Sequence, residues 1–299
     1  MKKLLVLFIL CLSNTSFGIV SFPKNYDSST PLFLVLHGCK QSDKIIMKDT
    51  FFLEKGKEKA IFIVPSQSIL RNIDHCWNWF APLGRSPISG SEINNIVSNL
   101  LKFKRKHKLQ KNPVFVMGMS AGGAMAMNLM ACYPEFFDGA AVHSGLAYKI
   151  NDSIFGLTKL ISNAPRKSPM ELATAFRSCS KQLINLTNKK YLVFHGTEDE
   201  RVHVGHMYAI ENQIVDAHDL SDDGLINQSN QFSFSEMKYN PKNKFNYTIR
   251  AYKLDNNVEL KVYEIDRLKH DWSGGDYRVE RNDPKGPDAS DIILDYFID

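Results

Sequence analysis

The sequence predicts an α/β fold with a mostly parallel, doubly wound sheet, and two observations support this prediction. Short runs of four or five consecutive apolar residues recur along the chain and stop at a glycine, a proline or a histidine. Segments with the composition or the spacing of helices lie between several of these runs. Unbroken apolar runs are typical of strands buried on both faces, as in a parallel sheet covered by helices. Alternation of such strands with helices is typical of doubly wound folds.

Seven strands are predicted. The apolar runs place five buried strands at residues 32–36, 61–64, 114–117, 139–142 and 191–194. Two further strands, at residues 247–254 and 258–265, flank an Asp-Asn-Asn sequence that favours a turn, so we expect them to form a hairpin. Residues 217–245, which are rich in Asp, Asn, Ser and Lys, are predicted to form a polar surface insertion before this hairpin.

Three helices are predicted between or after these strands. Apolar residues at helical spacing from Ile93 to Leu101 indicate the first helix, with Ser89 and Glu92 as a capping box at its start. Residues 121–132, rich in Ala and Met, indicate the second, which ends before Pro134. The last helix is predicted within residues 288–297.

The first 18 residues have the three parts of a secretory signal peptide. Lys2 and Lys3 form a basic start, residues 4–12 are apolar, and Ser16 and Gly18 place small residues where a signal peptidase reads them. The apolar run is shorter than the roughly 20 residues that a helix needs to span a bilayer. We therefore expect export, to the periplasm or outside the cell, and no stable membrane anchor.

The composition is that of an ordinary globular protein. The chain has 299 residues, of which 43% are hydrophobic and 23% charged, and this balance excludes disordered and coiled-coil classes. The formal net charge of +5 is small and scattered, so it does not indicate a nucleic-acid partner. Since neither a repeat nor a long linker divides the chain, residues 19–299 are predicted to form one catalytic domain.

A short motif indicates a serine nucleophile. Residues 118–122 fit the pattern G-x-S-x-G, with a predicted buried strand before them and a helix of small residues after them. This is the context of a nucleophile elbow, a tight strand-to-helix turn that raises the serine above the sheet. Ser120 is therefore the candidate nucleophile, with the helix N-terminus behind it favouring negative charge.

A serine hydroxyl needs a base and an orienting acid, which follow the serine in this order of elements. Asp199 lies on the loop after the strand at 191–194 and is the candidate acid, with Glu198 and Glu200 as alternatives. His270 follows the last predicted strand and is the candidate base; His203, His206 and His218 are placed less well because they lie too close to the acid loop. The expected oxyanion-hole donors are the N–H groups of Cys39 and Ala121.

Four cysteines remain once Cys11 leaves with the signal peptide. They are Cys39, Cys76, Cys132 and Cys179. An even number in an exported chain permits disulfide bonds, and four cysteines allow three pairings that the sequence does not distinguish.

Several segments, in order along the chain, together resemble the polyhydroxybutyrate (PHB) depolymerase family of esterases, which includes related feruloyl and acetylxylan esterases. The matching segments are LHGCKQ (36–41), CWNWF (76–80), GMSAGGAM (118–125), YPEFF (133–137), HSG (143–145), HG…D…V (195–202) and HDWSGG (270–275). They extend over nearly the whole chain after the signal peptide. The resemblance implies an α/β-hydrolase fold, a Ser120–Asp199–His270 triad and oxyanion donors at Cys39 and Ala121.

The resemblance also implies further features of the site. It suggests a disulfide between Cys39 and Cys76, which leaves Cys132 and Cys179 as a possible second pair. That disulfide brings Trp77 and Trp79 beside the site as candidate substrate-binding residues. Trp272, His37 and Ser144 are further candidates for substrate binding. No metal ion or organic cofactor is expected.

The expected function is that of a secreted serine esterase that hydrolyses hydroxyalkanoate esters of the poly- or oligo-3-hydroxybutyrate type. Secreted depolymerases of the family commonly add a linker and a substrate-binding domain. This sequence has neither after the histidine motif, so soluble or amorphous esters are the expected substrates. The alternatives are a feruloyl or acetylxylan type of carbohydrate esterase, a peptidase of the same fold and a non-catalytic binding protein.

Overall fold

The computed structural model describes residues 17–151, 155–180, 186–220, 224–226, 231–238, 240, 243–254 and 257–298. The predicted signal peptide thus lies outside the described residues except for Phe17 and Gly18, which form the start of a strand. None of the described helices is both long enough and apolar enough to cross a membrane.

The described residues form eleven strands and nine α-helices. The strands are β1 (Phe17–Ser21), β2 (Leu32–Leu36), β3 (Ile61–Pro65), β4 (Val114–Met119), β5 (Gly139–His143), β6 (Lys190–Gly196), β7 (Gln231–Lys238), β8 (Tyr247–Leu254), β9 (Val258–Ile265), β10 (Trp272–Ser273) and β11 (Asn282–Asp283). The helices are α1 (Asp43–Thr50), α2 (Phe52–Gly56), α3 (Pro82–Arg85), α4 (Glu92–Lys106), α5 (Ala121–Cys132), α6 (Leu157–Ile161), α7 (Pro169–Cys179), α8 (Gly205–Asp219) and α9 (Ala289–Ile298).

In the described part of the chain, nine strands form one sheet in the order β1-β3-β2-β4-β5-β6-β9-β8-β7. The central strands from β3 to β9 run parallel, whereas β1, β8 and β7 pair antiparallel at the two edges. Every residue of β2 and of β3 is buried. Alternate residues of β2 enter two different core clusters, one on each face of the sheet. The predicted parallel sheet with a helical layer on both faces is confirmed.

Helix α4 begins differently from the prediction. Its N-cap is Ser91, whose hydroxyl accepts a hydrogen bond from the N–H of Asn94. Ser89 is therefore not the cap, and the predicted capping box is wrong. Glu92 is buried and accepts hydrogen bonds from the side chain of Gln67 and from the N–H of Asn78 at 2.6 Å. A tertiary contact thus replaces the local one that the sequence spacing suggested.

The predicted polar insertion at residues 217–245 includes regular structure, which corrects that interpretation. Helix α8 extends to Asp219, and β7 occupies residues 231–238. Strand β7 lies at the edge of the sheet and pairs with β8 on one side. The side chains of residues 234–237 are exposed, so this strand does not need the continuous apolar run of a strand that is buried on both faces. This explains why the sequence pattern does not reveal it.

The start of helix α5 packs directly on the end of strand β2. A Cβ atom on Gly122 would lie 2.1 Å from the carbonyl oxygen of Leu36, and one on Gly118 would lie 2.3 Å from the carbonyl carbon of Gly122. Only glycine permits these approaches, since a side chain at either position would force the helix away from the sheet. The contact brings the turn at Ser120 next to the loop that follows β2.

Two disulfides join the four cysteines. Cys39 pairs with Cys76, as the family resemblance implies, and Cys132 pairs with Cys179. The first links the loop after β2 to the loop after β3, and the second links the ends of α5 and α7. One disulfide therefore lies beside the candidate site, while the other ties together two helices that cover the sheet.

We expect removal of the Cys132–Cys179 disulfide in the double variant C132A/C179A to lower the free energy of unfolding by about 2–4 kcal/mol. The bond spans 47 residues of sequence, so its loss frees a long loop in the unfolded chain. Urea denaturation without reductant measures the change. As a control, reductant should lower the midpoint of the wild type more than that of the variant. An unchanged free energy of unfolding contradicts the prediction.

Candidate active site

Ser120 lies at the turn between β4 and α5 in a backbone conformation that is rare for a residue with a side chain. Its φ is 56° and its ψ is −120°. Its N–H donates a hydrogen bond of 2.9 Å to the carbonyl oxygen of His143, at the end of the neighbouring strand β5. Gly38 approaches from the other side, where a Cβ atom would lie 3.4 Å from that of Ser120. The strained turn is thus held by both neighbouring strand ends, and strain of this kind is concentrated at functional sites.

Asp199 and His270 form a close pair on two loops. Atom Oδ1 of Asp199 accepts hydrogen bonds from the N–H groups of Arg201 at 3.0 Å and Val202 at 2.8 Å. Atom Oδ2 lies 2.7 Å from Nδ1 of His270. Because an ionised carboxylate only accepts, Nδ1 of His270 carries the proton and Nε2 has the lone pair that a general base requires.

The alternative acids and bases are placed differently. Glu198 and Glu200 are exposed on the loop that buries Asp199. His206 is buried with its Nε2 3.1 Å from the carbonyl oxygen of Leu160, and His218 is buried beside the hydroxyl of Tyr191. His203 uses Nδ1 to accept from a backbone N–H two residues later. The structure therefore brings Asp199 together with His270 and with none of these three histidines in the described hydrogen bonds.

The pKa of the Asp199 carboxyl is held below its usual value. Burial alone would raise the pKa, but the hydrogen bond with His270, the electrostatic interactions with His270 and His195, and the N–H of Val202 lower it. The side chain of Asp199 has no exposed surface. The buried group is therefore kept as the anion that orients the imidazole.

Ser120 and His270 are connected through the backbone that surrounds them. No hydrogen bond joins the Ser120 hydroxyl to His270 in the described residues. His143 accepts from Ser120 N–H through its carbonyl oxygen and from Ser273 N–H through Nε2. The two loops thus meet at one residue. Catalytic hydrogen bonds are often longer in a free enzyme and form only when substrate binds.

The loop that carries Cys39, one of the two candidate oxyanion donors, is held by hydrogen bonds of the residues next to it. The N–H of Gly38 donates to Oε1 of Gln41 at 2.6 Å, and the carbonyl oxygen of Gly38 lies 2.8 Å from Nδ1 of His37. Within the described chain, neither the Cys39 N–H nor the Ala121 N–H donates a hydrogen bond to a protein acceptor. Both N–H groups can therefore donate a hydrogen bond to an oxyanion.

Two buried polar pairs that the sequence patterns do not reveal support the Cys39 loop. Gln41 donates to Asp49 at 2.7 Å, and the Gln67–Glu92 pair described above lies behind the other strand end. The N–H of Gln67 also donates to Nε2 of His37 at 3.1 Å. Gln41 follows strand 32–36 and Gln67 follows strand 61–64, and both loops lie at the carboxyl ends of the parallel strands. This placement is the signal in the sequence that points to the two glutamines.

The five residues predicted to bind substrate have little or no exposed surface in the structure. Their exposed fractions are 0% for Trp77, 6% for Trp79, 2% for Trp272, 0% for His37 and 0% for Ser144. The ring of Trp77 packs 5.2 Å from that of His37, and Trp272 stacks 4.8 Å from His143. Large indole rings bury much apolar surface, and here Trp77 and Trp272 pack against the histidines at the ends of β2 and β5. In the described residues no group of three or more His, Cys, Asp or Glu side chains is placed to hold a metal ion.

Comparisons with known proteins find relatives among esterases. The family model described as "Esterase PHB depolymerase" matches residues 16–215, a range that includes Ser120 and Asp199 but ends before His270. Poly(3-hydroxyalkanoate) depolymerase C of Paucimonas lemoignei is 26% identical over 200 residues, 66% of this chain and 47% of that protein. Feruloyl esterase B of Thermothelomyces thermophilus is 27% identical over 192 residues, 60% of this chain and 62% of that protein. The matches thus span less than two thirds of either relative.

A solved structure resembles nearly the whole fold. The acetyl xylan esterase from Aspergillus awamori superimposes with a TM-score of 0.70 at 18% sequence identity, covering 95% of this chain and 97% of that one. The architecture is the α/β-hydrolase fold, with Ser120 at the strand-to-helix turn that carries the nucleophile in such folds.

Replacing Asp199 by Asn tests the lowered pKa. A carboxyl whose folded pKa lies below the reference value of 3.8 stabilises the fold above that pH, and this contribution is lost as the pH falls through the folded pKa. The free energy of unfolding of the wild type should therefore exceed that of D199N by a larger amount above pH 3.8, and this advantage of the wild type should shrink as the pH falls below 3.8. Urea denaturation at neutral and acidic pH measures it.

The matched control is Val202→Ala on the same loop, which removes buried methyl groups but no charge. Its difference from the wild type should vary far less with pH. If the wild type gains stability relative to D199N on acidification, the pKa of Asp199 is not lowered by folding.

Proposed function

The chain belongs to the PHB depolymerase family of esterases, and on this basis we propose that it hydrolyses carboxylic esters with Ser120 as nucleophile, His270 as base and Asp199 as orienting acid. The observation that carries the proposal is the pairing of Asp199 with His270 at 2.7 Å across loops that are 71 residues apart in sequence. The strained turn at Ser120, at the end of β4 in the same sheet, supports it.

The proposed mechanism proceeds through an acyl-enzyme. His270 takes the Ser120 proton through Nε2 as the hydroxyl oxygen attacks the ester carbonyl carbon. The N–H groups of Cys39 and Ala121 donate to the oxyanion, with the N-terminus of α5 adding favourable electrostatics. His270 then protonates the leaving alcohol. Water enters with His270 again as base, and the acyl-enzyme is hydrolysed by the same steps.

We propose hydroxyalkanoate esters, in particular soluble or amorphous oligomers of the 3-hydroxybutyrate type, as the substrate class. One of the relatives described above is by name a poly(3-hydroxyalkanoate) depolymerase. A cavity of about 390 Å³ beside α6 also supports this choice, since it combines apolar walls with the cationic side chains of Lys159, Arg166 and Lys167. None of its described lining residues is acidic. An aliphatic chain that ends in a carboxylate suits such a lining.

This cavity adjoins the segment that follows the acid loop. The N–H of His203 donates to the carbonyl oxygen of Ile161 at 2.8 Å, and His206 contacts that of Leu160. Both acceptors lie in α6. The cavity wall is therefore attached to the chain a few residues beyond Asp199, and we propose that the acidic end of an oligomer bound at Ser120 lies there.

The second candidate substrate class is the feruloyl or acetylxylan esters of plant polysaccharides. A feruloyl esterase is among the relatives, and an acetyl xylan esterase shares the fold. A non-catalytic binding protein is the third candidate. The buried Asp199–His270 pair and the strained Ser120 argue against it, because a binding protein has no need for these costly features together.

We further propose that residues 19–299 act as a single exported domain. Two disulfides favour an oxidising compartment. Cleavage after Gly18 would leave Ile19, Val20 and Ser21 to pair with β3, so strand β1 would be shortened and not lost.

Replacement of Ser120 by Ala should lower kcat for a soluble ester by at least about 10⁴-fold while leaving the unfolding midpoint near that of the wild type. Hydrolysis of a p-nitrophenyl ester and labelling by a fluorophosphonate probe measure the effect. Ser178→Ala, an exposed serine on α7, is the control and should label and turn over like the wild type. Near-normal turnover by S120A would remove Ser120 from the mechanism.

The substrate class is tested by comparing a 3-hydroxybutyrate trimer, its methyl ester and methyl ferulate. We expect the free acid to be hydrolysed well, and K159A/R166A to raise its KM about fivefold or more, the equivalent of about 1 kcal/mol for a lost charge pair. The methyl ester should be unaffected by these substitutions.

The control K57A/K59A also removes two positive charges, but just before the start of β3, at the amino ends of the parallel strands. It should leave both KM values unchanged. A preference for ferulate, or equal effects of the two double variants, contradicts the proposed substrate class without affecting the proposed triad.

A further inference from the structure

His143 lies at the end of β5, between the loops of Ser120 and His270. Its carbonyl oxygen accepts from the Ser120 N–H at 2.9 Å, and its Nε2 accepts from the Ser273 N–H at 3.1 Å. Ser273 is three residues beyond His270 on the same loop. A single residue thus binds the backbone on both sides of the proposed catalytic pair.

The ring of His143 is fixed in one tautomer. A backbone N–H can only donate, so Nε2 has the lone pair and the proton is on Nδ1, which lies 3.2 Å from the hydroxyl of Ser144. The ring lies 4.8 Å from that of Trp272 and 5.9 Å from that of Phe194, stacked against both. Rotation of the ring would break its contacts on every side.

The surroundings also keep the ring neutral. Burial, together with the nearby His195 and His270, lowers the pKa of His143 to about 3, while Asp199 opposes them. A second proton would have to sit on Nε2, directly opposite the Ser273 N–H. The acceptor at Nε2 is therefore present across the neutral pH range.

Other hydrogen bonds also anchor the His270 loop. The Trp272 N–H donates to the carbonyl oxygen of Arg281, the Trp272 indole to Ser290, and the Ser273 hydroxyl to the carbonyl oxygen of Pro287. All three tie the loop to the C-terminal segment. Further bonds tie it to the loop after β6, where the Glu198 N–H donates to the carbonyl oxygen of Leu268 and His270 pairs with Asp199. The bond to His143 ties it to the residue whose carbonyl oxygen also fixes the Ser120 backbone, so this bond links the position of the His270 loop directly to that of Ser120.

We propose that His143 is a positioning residue, whose Nε2 holds the His270 loop in register with Ser120 through the Ser273 N–H. The expected effect of His143 on the rate rests on the proposed function, whereas its structural role does not. A displacement of about 1 Å between reacting groups can lower a rate about 100-fold, so loss of the acceptor should act mainly on kcat.

The experiment compares His143→Gln with His143→Met. Both side chains are unbranched and of similar length, but only Gln has an acceptor that reaches the Nε2 position. We expect H143Q to keep kcat within about tenfold of the wild type and H143M to lose about 100-fold, with little change in KM for either. Rescue by Gln separates a hydrogen-bonding role from packing against Trp272. If H143M does not fold, His143→Asn replaces it, because the Asn amide ends one bond short of Ser273.

Leu100→Ala is the stability control. Leu100 is a buried residue of α4, so its loss lowers the unfolding midpoint while leaving kcat unchanged below the transition. Hydrogen exchange of the peptide covering residues 268–275 is the second readout. It should accelerate in H143M, remain slow in H143Q, and stay slow in L100A.

The outcomes separate the two proposals. Equal kcat values for H143Q and H143M, or losses that follow only the unfolding midpoints, overturn the positioning role. If the wild type hydrolyses no ester, the proposed function fails, whereas the exchange measurement still decides whether His143 holds the loop.

Discussion

The geometry of the candidate site depends on the contact between the start of helix α5 and the end of strand β2. Gly118 and Gly122 leave no room for a side chain there, so the helix begins directly against the carbonyl oxygen of Leu36. This approach puts Ser120 beside Gly38 and brings the first free N–H of the helix toward the Cys39 loop. The two proposed oxyanion donors come from separate elements, the loop after β2 and the start of α5, which this one close contact brings side by side.

Three strands have a neutral histidine at their carboxyl ends, and each of these rings contacts backbone atoms of a loop. His37 contacts Gln67 N–H and the Gly38 carbonyl, His143 contacts Ser273 N–H, and His195 lies 2.8 Å from the carbonyl oxygen of Val202. Burial lowers the pKa of each ring. A neutral imidazole can both donate and accept, so it satisfies backbone groups without placing a further charge beside Asp199.

The features that the sequence predicts well are those set by local pattern or by chain order. Buried parallel strands must be apolar on both faces, so strand β2 is evident from its composition, and the glycines around Ser120 identify the elbow. Asp199 and His270 follow from the order of elements. The burial of Trp77 does not follow, because it depends on which surfaces the Cys39–Cys76 bond brings together. The role of Glu92 is hidden for the same reason, since its partners lie 25 and 14 residues away in sequence.

Backbone strain is retained at two neighbouring strand ends, and their contacts explain why. Ser120 has a φ of 56° and Ser144 a φ of 49°. Such conformations cost on the order of 1–3 kcal/mol each and persist only where the surroundings determine them. The Ser120 N–H binds His143, and the Ser144 N–H binds the carbonyl oxygen of Phe194 at 2.9 Å. Each strained residue is thus fixed by the next strand across the sheet, so the positions of Ser120, His143 and the Asp199 strand are coupled through consecutive backbone hydrogen bonds.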